Sequence, residues 1–159
     1  MTDAAGTRVR TEALAIMVCL AQCRPEAERV VTEPELFARM PECMGWLGST
    51  VHQTGIRAVL RPERFTRDPS GAPAIAVQAR ENVAAANADL AQRLPIGGDA
   101  LGERFTILDA YLLVFHRWGN RIGLDLPARA SRFAGLIGRV RARPAVQRII
   151  AREGIEIDP

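Results

Sequence analysis

Gly45, Gly48, His52 and Gly55 stand three or four residues apart, a spacing that an α-helix projects to one side. A glycine inside a helix costs on the order of 1 kcal/mol relative to alanine. The stripe therefore predicts a close approach at this face, by a second backbone or by a ligand. His52, in its middle, would meet that neighbour with a ring that can carry a proton or a hydrogen bond; a histidine at a helix–helix contact fits the same pattern. The other candidates are Glu12, an acid at the start of an apolar run, and Trp118, an indole near the end of another. Core packing accounts for Trp118 equally well. Asp109 is a tempting acid, yet it lies three residues after Thr106, where it completes a capping box. Cys19 and Cys23 are one turn apart on an apolar face, where small thiols are packing residues. His116, between Phe115 and Arg117, reads as a surface histidine. No Ser/His/Asp or Cys/His arrangement, glycine-rich phosphate loop or zinc-spaced set of ligands stands out.

These residues need helices to position them. An apolar helix is predicted over residues 12–22, ended by Arg24-Pro25, after a short extended segment at Val9 and Arg10. Thr32-Glu33-Pro34-Glu35 signals the start of a long helix toward residue 60, kinked at Pro41 or regular only from Met40. Asp68-Pro69-Ser70-Gly71 caps a helix through residues 74–94. Thr106 caps the next, whose apolar residues from Ile107 to Trp118 cover nearly the whole circumference, so it is a core helix. Further helices follow over residues 127–142, with Phe133, Leu136, Ile137 and Val140 inward, and residues 144–154. Strand signals are nearly missing, so the fold is predicted all-α, a helical bundle around the helix that begins at Thr106.

The chain has 159 residues, 48% of them hydrophobic, enough for one good core. Three cysteines are too few for a disulfide framework. No run approaches the roughly 18 apolar residues that cross a bilayer, and the opening lacks a signal peptide's regions, so a cytoplasmic protein is expected. All 21 basic residues are arginine. Arg129, Arg132, Arg139, Arg141, Arg143, Arg148 and Arg152 crowd the end of the chain, yet without aromatic interleaving beyond Phe133, and a solvated helix face is expected there rather than a nucleic-acid site.

The capped core helix with Arg141-Ala142-Arg143-Pro144-Ala145-Val146-Gln147 behind it resembles the C-terminal all-helical domain of bacterial glutathione S-transferases, particularly the beta-like classes. Trp46-Leu47 and Ser49-Thr50-Val51-His52 look like the long first helix of that domain, and Arg61-Pro62-Glu63-Arg64-Phe65 like its exit. Thr11-Glu12-Ala13-Leu14-Ala15-Ile16 looks like the segment that closes the thioredoxin-like, glutathione-binding domain. The resemblance covers residues 8–155 and implies two parts: residues 1–24 as the end of a thioredoxin-like domain and residues 25–159 as the helical domain. It implies that His52 and Trp118 face the cleft between the domains, with Gln53 where a basic residue often follows the histidine. Glu12 would help hold the γ-glutamyl end of glutathione, but Ala13 replaces the family's serine. A lost hydrogen bond to a charged acceptor is worth about 1.5 to 3 kcal/mol, so glutathione binding is expected to be weak.

The family's thiol-activating residue and cis-proline loop belong ahead of Thr11. The expectation is therefore a glutathione S-transferase-like protein without most of the glutathione-binding domain, a binding or assembly module that is not catalytic alone. Transferase activity completed by a partner chain is the alternative, and nucleic-acid binding through the C-terminal arginines a further one. No cofactor or metal is expected to be required. A homodimer or a thioredoxin-like partner is expected, the dimer resting on an apolar stripe of Met44, Leu47, Val51 and Ala58.

Overall fold

The structure, a computed structural model, describes residues 9–126 and 130–158. Helix α1 (Ala13–Gln22) packs against the helices named below as α2 and α5, burying Ala21. Its other side stays open, with Leu20 53% exposed. A short turn at Pro25–Ala27 follows. Val9 and Arg10, the short segment expected ahead of α1, lie outside any helix, and Val9 is 74% exposed.

Helix α2 (Pro34–Trp46) starts with proline in its first turn, and its N-cap is Glu33, which makes no side-chain cap; Thr32, the sequence's candidate, is one residue too early. The helix runs through Pro41. The hydrogen bond that proline cannot donate would go to the carbonyl of Phe37, a residue 48% exposed, so water can take its place.

The rod then changes register. Leu47–Ile56 is a π-helix, closed by the single turn α3 (Arg57–Leu60). Such segments are rare and cluster at functional sites. The local sequence explains its softness, because Gly48, Thr50, Val51, Thr54 and Gly55 are poor α-formers. Ser49 Oγ also donates to the Gly45 carbonyl at 2.9 Å and Thr54 Oγ1 to the Thr50 carbonyl at 2.6 Å, competing with the backbone ladder.

Asp68 accepts from the Ser70 backbone at 2.9 Å and caps a turn, Pro69–Gly71, that leads straight into α4 (Ala72–Arg93). Here α4 meets the π segment at Gly55: a Cβ on that glycine would lie 2.5 Å from Val83 Cγ2. Helix α5 (Ile107–Arg121) is the core, with Leu112 and Phe115 at 0% and 1% exposure. Its capping box is formed, Thr106 Oγ1 accepting from the Leu108 backbone at 3.3 Å and Asp109 from the Thr106 backbone at 2.7 Å. Asp109 also accepts from the Ala100 backbone at 2.7 Å, fastening the loop ahead of the helix.

Helix α6 (Ser131–Ala142) buries Phe133, Leu136, Ile137 and Val140, the four residues predicted to face inward. Residues 127–129 of its predicted start lie outside the described residues. Helix α7 (Pro144–Glu153) follows. Arg29 ties the connection before α2 to this end of the bundle: its carbonyl accepts from Ile107, its guanidinium donates to the Phe105 carbonyl at 3.1 Å, and both it and Arg143 lie over the Phe105 ring. Among the described residues there is no strand, and the protein is an all-α bundle.

One expectation needs correction. Met44, Leu47, Val51 and Ala58 are 1–3% exposed inside the chain's own core. They face α4 and α5 rather than a second copy, because the rod buries that side within its own bundle.

Candidate functional site

His52 leaves the π segment toward α5 and stacks on Trp118, ring centroids 4.7 Å apart and planes 20° from parallel. Trp118 meets Phe115 edge-on at 5.3 Å, and Phe115 meets Tyr111 edge-on at 4.9 Å. Residues 111, 115 and 118 share one helix face, so the four rings form a continuous wall. Gly48 faces it: a Cβ there would lie 3.5 Å from the Tyr111 hydroxyl. Phe115 is the buried anchor, while His52, Tyr111 and Trp118 are half-buried and present surface.

The glycine stripe is thus divided. Gly55 serves the packing reading, pressed against Val83; Gly45 has open space, with nothing within 4 Å of an added Cβ. The π register is the reason. A turn closed by i→i+5 bonds rotates each successive side chain by less than an α turn, so Gly55 swings away from His52.

Burial, helped by the neighbouring Arg57, lowers the His52 pKa from its ordinary 6.5. The ring is therefore neutral at physiological pH, able to donate and accept one hydrogen bond each. Burial raises the Tyr111 pKa, so its hydroxyl stays protonated. A wall of this kind can stack a flat apolar group and give it one or two neutral hydrogen bonds.

Glu12, the third candidate, is not in that stack. It is exposed at the head of α1 with φ 64°, a left-handed conformation that costs an ordinary residue roughly 1–3 kcal/mol. Thr106 and Asp109 are structural, as read from the sequence. His116 is 3% exposed and not a surface residue, because the chain's last described residues cover it. Tyr111 and Phe115 were missed as wall residues: their spacing with Trp118 was legible, but core packing absorbed it.

Several C-terminal arginines are engaged by the chain itself. Arg139 donates to the Gly98 and Gly135 carbonyls, Arg141 pairs with Asp158, and Arg143 lies over Phe105 at 4.1 Å. Arg129 lies outside the described residues. Among the described residues, no group of three or more His, Cys, Asp or Glu could hold a metal ion, and no helix is long and apolar enough to cross a membrane.

No family model matches the chain. It is 26% identical over 147 residues to the glutathione S-transferase GstA of Escherichia coli O157:H7, spanning 92% of this chain and 69% of that protein. Among solved structures, a glutathione transferase homologue from Sulfitobacter with bound glutathione superposes with a TM-score of 0.85 at 26% identity, over 93% of this chain and 70% of that one. The chain is similar to glutathione S-transferases in sequence and in fold. It is similar to the family's beta-like bacterial members, and its bundle matches their C-terminal all-helical domain. A sphingomonad glutathione S-transferase complexed with glutathione superposes with a TM-score of 0.80 at 25% identity, over 98% of this chain and 73% of that one. Within this bundle, His52, Trp118, Phe115 and Tyr111 form the aromatic wall that is the candidate ligand-facing surface.

Proposed function

We propose that this chain is the helical half of a glutathione S-transferase-like site, holding the apolar partner of a thiol without activating the thiol itself. The observation that carries the proposal is an aromatic wall with half-buried rings in a bundle that also leaves apolar residues uncovered, Leu20 on α1 and Phe37 on α2. Leu20 and Phe37 are 53% and 48% exposed, and α1 is an apolar helix built to be covered on both sides. In this reading residues 1–24 close a glutathione-binding half and residues 25–159 are the helical domain of a cytoplasmic protein. His52 and Trp118 grip the ligand and Glu12 points toward the glutathione side, where Ala13 makes binding weak. Transfer to an electrophile then requires a thioredoxin-like half to supply the group that lowers the thiol pKa. The exposed face of α1 favours this second, assembled activity.

Self-association belongs to the same proposal. With the Met44 stripe buried, a concavity open to a second copy is the groove of about 920 Å3 between α2 and α4, lined by Leu36, Cys43, Trp46, Leu90 and Leu94. Sedimentation at low concentration reads the state directly, and a monomer there removes the dimer from the proposal.

The wall is tested with chlorodinitrobenzene as a flat aromatic probe, in a Trp46→Phe background that leaves Trp118 as the sole tryptophan of the two. The probe should quench Trp118 in a saturable way. Aromatic pairs contribute about 0.5–1.5 kcal/mol, so His52→Ala should weaken Kd roughly threefold to tenfold. An unchanged Kd would remove His52 from the site.

A further inference from the structure

On the opposite side of α5 from Trp118, residues 155–158 return across the last turn of the helix. Gly154, with φ 59°, ends α7 and turns the chain toward α5. Arg117 Nε donates to the Glu156 carbonyl at 2.8 Å. Asn120 Nδ2 donates to the Ile157 carbonyl at 3.2 Å and to Asp158 Oδ1 at 2.9 Å, and Arg141 of α6 pairs with Asp158 Oδ2. Ile157 is driven into the bundle at 4% exposure. Beneath this cover lies His116, edge-on to Phe133 at 5.6 Å, its Nδ1 3.3 Å from Asn120 Nδ2 and 3.7 Å from Asp158 Oδ1.

We propose that residues 155–158 form a proton-sensitive strap that clamps the last turn of α5 and thereby holds Trp118 in the ligand-facing wall, with His116 as the sensor. The clamp stands on its own geometry; its effect on the wall rests on the reading of Trp118 given above. Residues 116, 117 and 120 hold the strap and residue 118 meets His52, so one helical turn serves both.

The chemistry of the sensor follows from its partners. In the neutral tautomer that leaves Nδ1 bare, His116 shares the two Asn120 amide hydrogens with the Ile157 carbonyl and Asp158, which helps aim that amide at the strap. A proton on Nδ1 removes the acceptor and turns the nitrogen into a competing donor toward Asp158. The charged groups facing the ring are Asp158 from the strap and Arg141 from α6. Burial lowers the His116 pKa from 6.5; Asp158 pushes it back up and Arg141 pushes it further down, the net direction being down. Lifting Ile157 and Asp158 wets the ring and returns it toward 6.5. The closed strap therefore binds protons less well than the open one. It is fully favoured above pH 6.5 and weakens as the pH falls below that value, by at most about tenfold per unit for one proton.

Amide hydrogen exchange on the full chain, corrected for intrinsic rates and compared near about pH 7.5 and about pH 5.5, reads this without any ligand. Amides of residues 118–122 and 155 should lose protection at the lower pH, by up to about tenfold, while those of Val83 and Leu90 in α4 hold. His116→Gln should abolish that step. Should the buried substitution unfold the chain, Asp158→Asn, at a half-exposed position, is the second variant. It should open the strap and loosen 118–122 at the higher pH, shifting Trp118 emission in the Trp46→Phe background. Equal protection at both pH values, or the same step in a folded His116→Gln protein, overturns the sensor. Undiminished protection of 118–122 in Asp158→Asn and Asn120→Ala overturns the clamp. Since no arm uses a ligand, failure here is distinct from failure of the proposed function.

Discussion

Asp109→Ala should lower the stability of the bundle by about 4 kcal/mol, read as a shift in the urea midpoint with the slope unchanged. The carboxylate is fully buried and accepts three hydrogen bonds, from the Ala100 backbone at 2.7 Å, the Thr106 backbone at 2.7 Å and Thr106 Oγ1 at 2.9 Å. Truncation leaves two backbone donors inside the protein without a partner, each costing roughly 1–3 kcal/mol. At this chain length the combined loss corresponds to a fall in Tm of roughly 10 °C. Thr106→Ala removes the hydroxyl but leaves both backbone donors satisfied, so it should cost about 1 kcal/mol. A loss below that in Asp109→Ala would show that the loop and helix start do not depend on this carboxyl.

Gly55→Val is the second large effect. An added Cβ already falls 2.5 Å from Val83 Cγ2 and 3.5 Å from the Thr50 carbonyl oxygen, so the branched side chain must push α4 away from the rod. Overpacking of this sort costs about 1–3 kcal/mol. Gly45→Ala, in contrast, meets nothing within 4 Å and should stabilise α2 by up to about 1 kcal/mol. Thermal unfolding of the two variants gives opposite signs if the stripe is divided as described. Equal effects would mean that the glycines act as one surface.

These two sites also show what a linear sequence can carry. The capping box depends on residues three apart, Thr106 and Asp109, and the inward face of α6 on an apolar repeat within twelve residues; both are local and both were legible. The π register of Leu47–Ile56 was not, although its glycines, serine and threonines hinted at a weak α-helix. Its consequence, that His52 turns to Trp118 while Gly55 turns to Val83, needs the packing of α4 and α5. The burial of Met44, Leu47, Val51 and Ala58 failed for the same reason: an apolar face does not announce which neighbour will cover it. His116 was misread because its cover comes from residues about forty positions away in sequence. In the candidate site, His52 and Trp118 were named from residue type and place, whereas Tyr111 and Phe115 emerged only when the rings met.

In the proposed site the helical chain grips an apolar partner and a second half makes sulfur nucleophilic. Its most direct measurement is turnover of chlorodinitrobenzene by reduced glutathione, followed with the pure chain and then with a thioredoxin-like half added from a related transferase. The expected result is no rate above the uncatalysed reaction for the chain alone, and a rate that appears on addition and falls in Trp118→Ala. Saturable turnover by the pure chain would contradict the account.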